Sequence, residues 1–238
     1  MKPDAPFRHA AALLPQRVLG QLGWLRGSFG AGLGIAVAGL VTTVLLGNRM
    51  PGLPWLVAPL GASAVLVFAV PASPLAQPWS VVGGNLISAS IGLALGLLVG
   101  EPAPAAALAV GLAIATMSLA RCLHPPGGAC ALLCALGAAG PEGWGYCHLA
   151  PIIANVLALA ACGWIYNNAT GHRWPHVVAP VAPGADRVHP SALHTREDIE
   201  ATLAGWDELL DVDVDELDAF CRAVSERVAG RARKNGAG

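Results

Sequence analysis

The residues of this 238-residue chain best suited to chemistry stand together in Arg121-Cys122-Leu123-His124-Pro125-Pro126-Gly127-Gly128. Two consecutive prolines are excluded from a helix interior but suit the start of one. The glycines after them let another backbone, or a ligand, come close. A helix beginning here turns its first N–H groups and the positive end of its dipole toward whatever lies in front, a geometry that suits an anion. Arg121 and His124 add donors and positive charge. Both also have plainer roles, Arg121 as a charged anchor at a helix end and His124 as a cap on neighbouring carbonyls. A second stretch, Ala58-Pro59-Leu60-Gly61-Ala62-Ser63-Ala64-Val65-Leu66, can be laid on residues 124–132 with proline, glycine and leucine coinciding. It offers another helix start at Gly61, with Ser63 as a hydroxyl donor. The apolar segment after each stretch carries a lone asparagine, Asn85 or Asn155. These asparagines either complete a polar cavity or make the interhelical hydrogen bond that is their commoner use in membranes.

Enzyme chemistry has no footing here. There is no G-x-S-x-G, no H-E-x-x-H and no phosphate-binding glycine loop followed by lysine. Glu101 and Glu142 have no acid–base partner nearby in the chain. Cys122, His124, Cys130 and Cys134 can be drawn as a metal site, but no standard zinc spacing joins them and the six cysteines include no C-x-x-C pair. The cysteines read as small apolar packing residues. No cofactor and no metal are expected.

The elements that must position these residues are written in the composition. The chain is 55% hydrophobic and 12% charged, against about 25% charged in ordinary soluble domains. Between Ser28 and Asn167 the ionised residues are Arg49, Glu101, Arg121 and Glu142. A soluble fold could not cover itself with so few charges, whereas lipid demands such a pattern. A net charge of -1 gives no sign of a nucleic-acid partner. Lys2, Arg8, Arg17 and Arg26 precede the first apolar run and further basic residues follow the last, so both ends are expected in the cytoplasm with an even number of crossings. No cleavable signal peptide is expected, because Arg17 interrupts the only early apolar stretch.

Apolar runs fall at 28–47, 55–70, 79–100, 105–120, 125–139 and 149–166. The first, third and sixth meet the length of a full span, the fourth falls just short, and the second and fifth are short and start with proline and glycine. The fold expected is all-α, a polytopic transmembrane bundle with a three-element internal repeat in which two helices are short or re-entrant. If all three elements of each copy cross, the copies are inverted, and such interrupted pairs point to a transporter's binding site. Gly84, Ser88, Gly92, Gly96 and Gly100 form a stripe of small residues. It suits close helix packing within the chain or the seam of a homo-oligomer. The expected domains are a basic cytoplasmic segment (1–27), a transmembrane domain (28–168), a linker (169–192) and a cytoplasmic helical tail (193–238). In the tail Thr195 and Asp198 resemble a capping pair, and Ile199, Leu203, Trp206 and Leu210 share one face. A second short helix is expected from about Asp213. Asp211, Asp213 and Asp215 mimic a calcium loop, but Glu216 and Arg222 stand where its glycine and glutamate belong.

Ala58–Leu66, Gly84-Asn85 and Leu123-His124-Pro125-Pro126-Gly127-Gly128-Ala129 together resemble, in order, the core of the HPP family of integral membrane proteins, named for the His-Pro-Pro tripeptide. The resemblance covers roughly residues 28–166. Plastid and cyanobacterial members are described as nitrite transporters, so the resemblance implies transport of a small inorganic anion, nitrite foremost, across a bacterial-type inner membrane. Leu193–Ile199 resembles the connector that in longer relatives leads to nucleotide-sensing CBS modules. The sequence ends at Gly238 without them, so nucleotide regulation is not expected. The resemblance supplies no substrate contacts. The candidate set of Arg121, His124, Pro125, Pro126, Gly127, Gly128, Gly61, Ser63, Asn85 and Asn155 rests on helix-start physics. The rival readings are a membrane scaffold or sensor whose tail binds a partner, and a membrane redox or metal protein using the cysteines.

Overall fold

The structure is a computed structural model that describes residues 20–47, 54–176 and 196–204, with 217, 218, 220–222, 224 and 225. The chain divides into two compact units, Met1–Val177 and Val178–Gly238. Within the first lie α1 (Gly20–Leu46), α2 (Pro59–Ala69), α3 (Pro78–Val99), α4 (Pro102–Leu119), α5 (Pro125–Ala139) and α6 (Leu149–Ala169). Short 3₁₀ turns at Pro74–Ala76 and Tyr146–His148 lead into α3 and α6. No strand occurs among the described residues.

Proline sets the starts. α2, α3, α4 and α5 each begin on one, where its missing N–H costs nothing and its fixed φ suits the helix. α3 ends on Gly100 in the left-handed region at φ 73°, a conformation open to glycine without a Cβ penalty. Four segments are long and apolar enough to cross a membrane: Gly23–Leu46, Pro78–Val99, Pro102–Leu119 and Tyr146–Ala169. α4 joins the full-length set because Pro102 and Pro104 lie in its first turn and do not precede it. α1 begins at Gly20, inside the segment read as a basic lead-in.

Packing fixes the direction of each helix. Gly27 of α1 faces Ala69 and Gly39 faces Trp55 and Leu56, so α1 and α2 are antiparallel. Arg26 reaches Asn167 while Thr42 meets Asn155, so α1 and α6 are antiparallel too. Gly84 faces His124, Gly92 faces Ala131 and Gly96 faces Ala135 and Ala138, so α3 and α5 run parallel. Met117, near the end of α4, lies beside Gly84, near the start of α3, which sets α4 against both. Trp174, just after α6, bonds to Ala76, just before α3, so α6 and α3 are antiparallel; the chain therefore reverses at every helix, and α1–α3 and α4–α6 form triplets of opposite sense. The core between them holds Leu60, Val67, Phe68, Leu93, Ile152 and Leu159. Phe68 fills the hollow over Gly30 and Gly34 and meets Tyr166 edge-on at 5.6 Å.

The 169–192 stretch, read as a linker, starts as part of the first unit. Trp174 is 2% exposed, and its indole N–H donates to the Ala76 carbonyl at 3.0 Å. In the second unit α7 spans Arg196–Ala204, with Ile199 buried. The described residues from 217 to 225 are helical and carry an Arg222–Asp218 ion pair of 2.9 Å. Thr195, Trp206, Leu210, Asp211, Asp213, Asp215 and Glu216 lie outside the described residues, as do 1–19 and Arg49.

Candidate functional site at the start of the His-Pro-Pro helix

His124 is fully buried, with extended backbone at φ -143° and ψ 106°, the region that a following proline imposes. Its Nδ1 lies 2.8 Å from the Leu75 carbonyl. A carbonyl can only accept, so Nδ1 carries the hydrogen and the Nε2 of the neutral ring is the acceptor. The Ser63 hydroxyl donates to that Nε2 at 2.8 Å. The Ser63 oxygen in turn accepts from Asn85 Nδ2 at 3.1 Å. Asn85 Nδ2 also donates to its own helix at the Val81 carbonyl, and its Oδ1 accepts the Cys130 S–H at 3.1 Å. One directed chain thus runs from Cys130 through Asn85, Ser63 and His124 to Leu75. It ties α5, α3 and α2 to the turn before α3. His124, Ser63 and Asn85 are each no more than 1% exposed.

Glycine makes this approach possible. A Cβ on Gly84 would lie 2.5 Å from the His124 Cβ and 2.8 Å from the Cys122 carbonyl oxygen. A Cβ on Gly127 would lie 2.8 Å from the Gly84 carbonyl oxygen and 2.9 Å from the Ser88 hydroxyl. Ser88 is fully buried, and its hydroxyl has no hydrogen-bond partner among the described residues.

The helix-start amides behave differently from the sequence expectation. The Gly127 N–H closes a turn onto the His124 carbonyl at 2.8 Å. At α2 the Leu60 and Gly61 amides close onto Val57 and Ala58 at 3.0 and 3.1 Å. Pro59, Pro125 and Pro126 have no N–H to offer. The polar groups facing one another at the two starts are therefore side chains.

The structure brings His124, Ser63 and Asn85 together, with Gly127 against the same helix and Pro126 buried beside it. Pro125 and Gly61 are exposed and Gly128 is half-buried; a Cβ on either glycine would touch nothing within 4 Å. Arg121 is exposed at φ 54°, ending α4 with its amide on the Ser118 carbonyl. Asn155 belongs to a second set. Its Oδ1 accepts the Val57 N–H at 3.0 Å, and its Nδ2 donates to Thr42 Oγ1 at 2.6 Å and the Trp55 carbonyl at 3.0 Å.

Three contributors carry no sequence signal that marks them. Cys130 reads as packing, although its spacing from His124 places it more than one turn into α5. Ser88 reads only as part of the small-residue stripe. Arg26 reads as a basic flank, yet its guanidinium donates to Asn167 Oδ1 at 3.0 Å, Thr170 Oγ1 at 3.3 Å and the Phe68 carbonyl at 2.9 Å. It thereby places a cation at the negative ends of both α2 and α6. Cys122, Cys130 and Cys134 are free thiols, and no cluster of three or more metal-ligating side chains occurs among the described residues.

Polar side chains gathered inside, with Val44, Leu98 and Leu119 turned outward at 74%, 80% and 88% exposure, define a polytopic helical membrane protein. The chain belongs to the HPP transmembrane-region family, which matches residues 17–175. It is 39% identical over 118 residues to a transmembrane protein of Dictyostelium discoideum, a match covering 48% of this chain and 38% of that protein. It is 38% identical over 117 residues to a second transmembrane protein of the same organism, covering 48% and 41%. The matches thus span about two fifths of these curated relatives. No solved structure matches the chain.

Proposed function

We propose that this protein carries a small inorganic anion, nitrite foremost, across a bacterial-type inner membrane, with both chain ends in the cytoplasm. The observation that carries the reading is the buried chain from Cys130 to Leu75, centred on His124. An ionisable side chain in the interior of a membrane bundle is costly to keep, and by default it marks a pathway. The alternation of helix direction supports the same reading, because opposed triplets with a polar meeting point are a transporter's plan. The junction is closed to solvent in this conformation, so passage requires the Ser63–His124 contact to rearrange. Arg121, exposed beside the junction, serves to draw anions toward it. Asn155, Gly61 and Gly128 have a supporting part through α2 and α5.

The test is flux into proteoliposomes of nitrite, nitrate, formate and chloride. Protein-dependent flux that falls at least about tenfold in His124→Ala and in Gly127→Leu is expected, tenfold being about 1.4 kcal/mol of barrier. Equal flux in vesicles with and without protein would end the reading. A scaffold or sensor role finds support in the second unit, where the helical residues Phe220 and Val224 are 65% and 46% exposed. Truncation after Val177 separates the two, since a self-contained transporter keeps its flux.

A further inference from the structure

We infer that His124 couples anion passage to a proton: protonation at Nε2 releases the Ser63 hydroxyl and leaves an imidazolium whose counter-charge is the transported anion. This rests on the transport reading above and adds the coupling ion to it.

Hydrogen-bond polarity carries the inference. In the neutral state Nδ1–H is committed to the Leu75 carbonyl and Nε2 holds the Ser63 hydrogen. A proton arriving at Nε2 makes both ring nitrogens donors. The Ser63 hydrogen can no longer lie between the two atoms, while the Ser63 oxygen can still accept from Nε2 and from Asn85 Nδ2 with its two lone pairs. One proton therefore turns one hydroxyl outward without breaking the rest of the chain. The protonated junction offers a positive ring and a freed hydroxyl. The Ser88 hydroxyl, buried against Gly127 and without a hydrogen-bond partner among the described residues, borders the same helix start.

The surroundings leave the anion as the partner of that charge. α2, the Pro74–Ala76 turn, α3 and α5 present no carboxylate to His124, and their titratable groups are Cys130 and Cys134 of α5. The loop before α5 contributes Cys122 and the exposed cation Arg121. From the stretch after α6 come the exposed Arg173 and the half-buried His172 and His176, the last with its backbone N–H held by Gln77 Oε1 at 2.8 Å. Glu101 and Glu142 lie in the turns after α3 and α5, at the opposite end from His124. A lone imidazolium or a bare anion in such an interior each costs several kcal/mol, and the neutral pair costs less. One proton and one monovalent anion then move together, with no net charge transferred.

The experiment uses the full chain in proteoliposomes with the membrane potential held at zero by potassium and valinomycin. Nitrite and nitrate are the probes, and protein-free vesicles supply the background for nitrous acid crossing unaided. An imposed pH gradient, acid outside, is expected to drive accumulation of about tenfold per pH unit, since tenfold and one pH unit are the same 1.4 kcal/mol. One proton should enter with each anion. His124→Gln, which keeps a polar amide of similar reach toward Ser63 but cannot titrate, is expected to lose pH-driven accumulation. Flux in the wild-type chain that ignores the pH gradient, or a His124→Gln chain that still accumulates, overturns the coupling and leaves transport standing. Absence of protein-dependent flux under every gradient overturns transport itself. The wild-type proton-to-anion ratio decides the matter even if the variant fails to fold.

Discussion

Two asparagines stand early in the third helix of each triplet, and they do opposite work. Asn155 holds backbone. Two of its three partners are the Val57 N–H and the Trp55 carbonyl, in the non-helical stretch leading into α2, and the third is Thr42. Backbone groups there have no helical partner, so their need is obligatory. Asn85 holds side chains. Beyond the Val81 carbonyl of its own helix it touches the Ser63 hydroxyl and the Cys130 thiol, both of which can rotate. The difference teaches that a buried polar cluster serves either as a fixed staple or as a relay with a second arrangement, and that the partners decide which.

Substitutions can break this contrast. Asn155→Leu strands an amide, a carbonyl and a hydroxyl. It is expected to cost about 3 kcal/mol or more of stability in detergent unfolding, taking about 1 kcal/mol for each lost membrane hydrogen bond. Asn85→Leu strands only groups with other options, so about 1–2 kcal/mol is expected, together with loss of most anion flux. Equal destabilisation by the two would erase the distinction. Thr42→Val removes one of the two acceptors of Asn155 Nδ2 and should cost about 0.5–1 kcal/mol with flux unchanged. Gly61→Ala places a methyl in open space within α2 and should stabilise by about 0.5 kcal/mol, the helix preference of alanine over glycine. Loss of flux in Gly61→Ala would instead bring the exposed face of α2 into the pathway.

Much of the bundle was legible beforehand because lipid permits few solutions. The fifth helix falls on 125–139 as its prolines and apolar run predict, and the sixth starts at residue 149 as expected. Boundaries drifted where polar or basic residues remain helical, as at Arg26 in α1. The meeting of Ser63 and His124 was legible as two helix starts turned toward each other. The means was not, because amides that look free in a sequence close locally onto carbonyls three residues back. Position in the sequence groups Asn155 with Asn85. Its true partners, Thr42 and residues 55–57, depend on how α1 and α6 pass each other, which no local pattern encodes. Trp174 is hidden in the sequence by its proline- and histidine-rich neighbours, whereas in the fold its ring joins the core beside Gly163, its indole N–H meets the Ala76 carbonyl and Asn168 holds its backbone.

The seam between α3 and α5 limits how such a molecule can move. At Gly92 and Gly96 the α3 backbone rests on the α5 backbone at Ala131 and Ala135, with no side chain larger than the Ala138 methyl between them, and Gly84 takes the His124 Cβ and the Cys122 carbonyl just before α5. A slide of one residue would drive the neighbours of those glycines into carbonyl oxygens, so the pair travels as a single plank. The contact of α1 with α2 and α6 is as close, since a Cβ on Gly30 or Gly34 would lie 2.6–2.7 Å from ring carbons of Tyr166 or Phe68, but there the neighbours are aromatic side chains that can turn, so a helix shift is absorbed at α1 before it is absorbed at the seam.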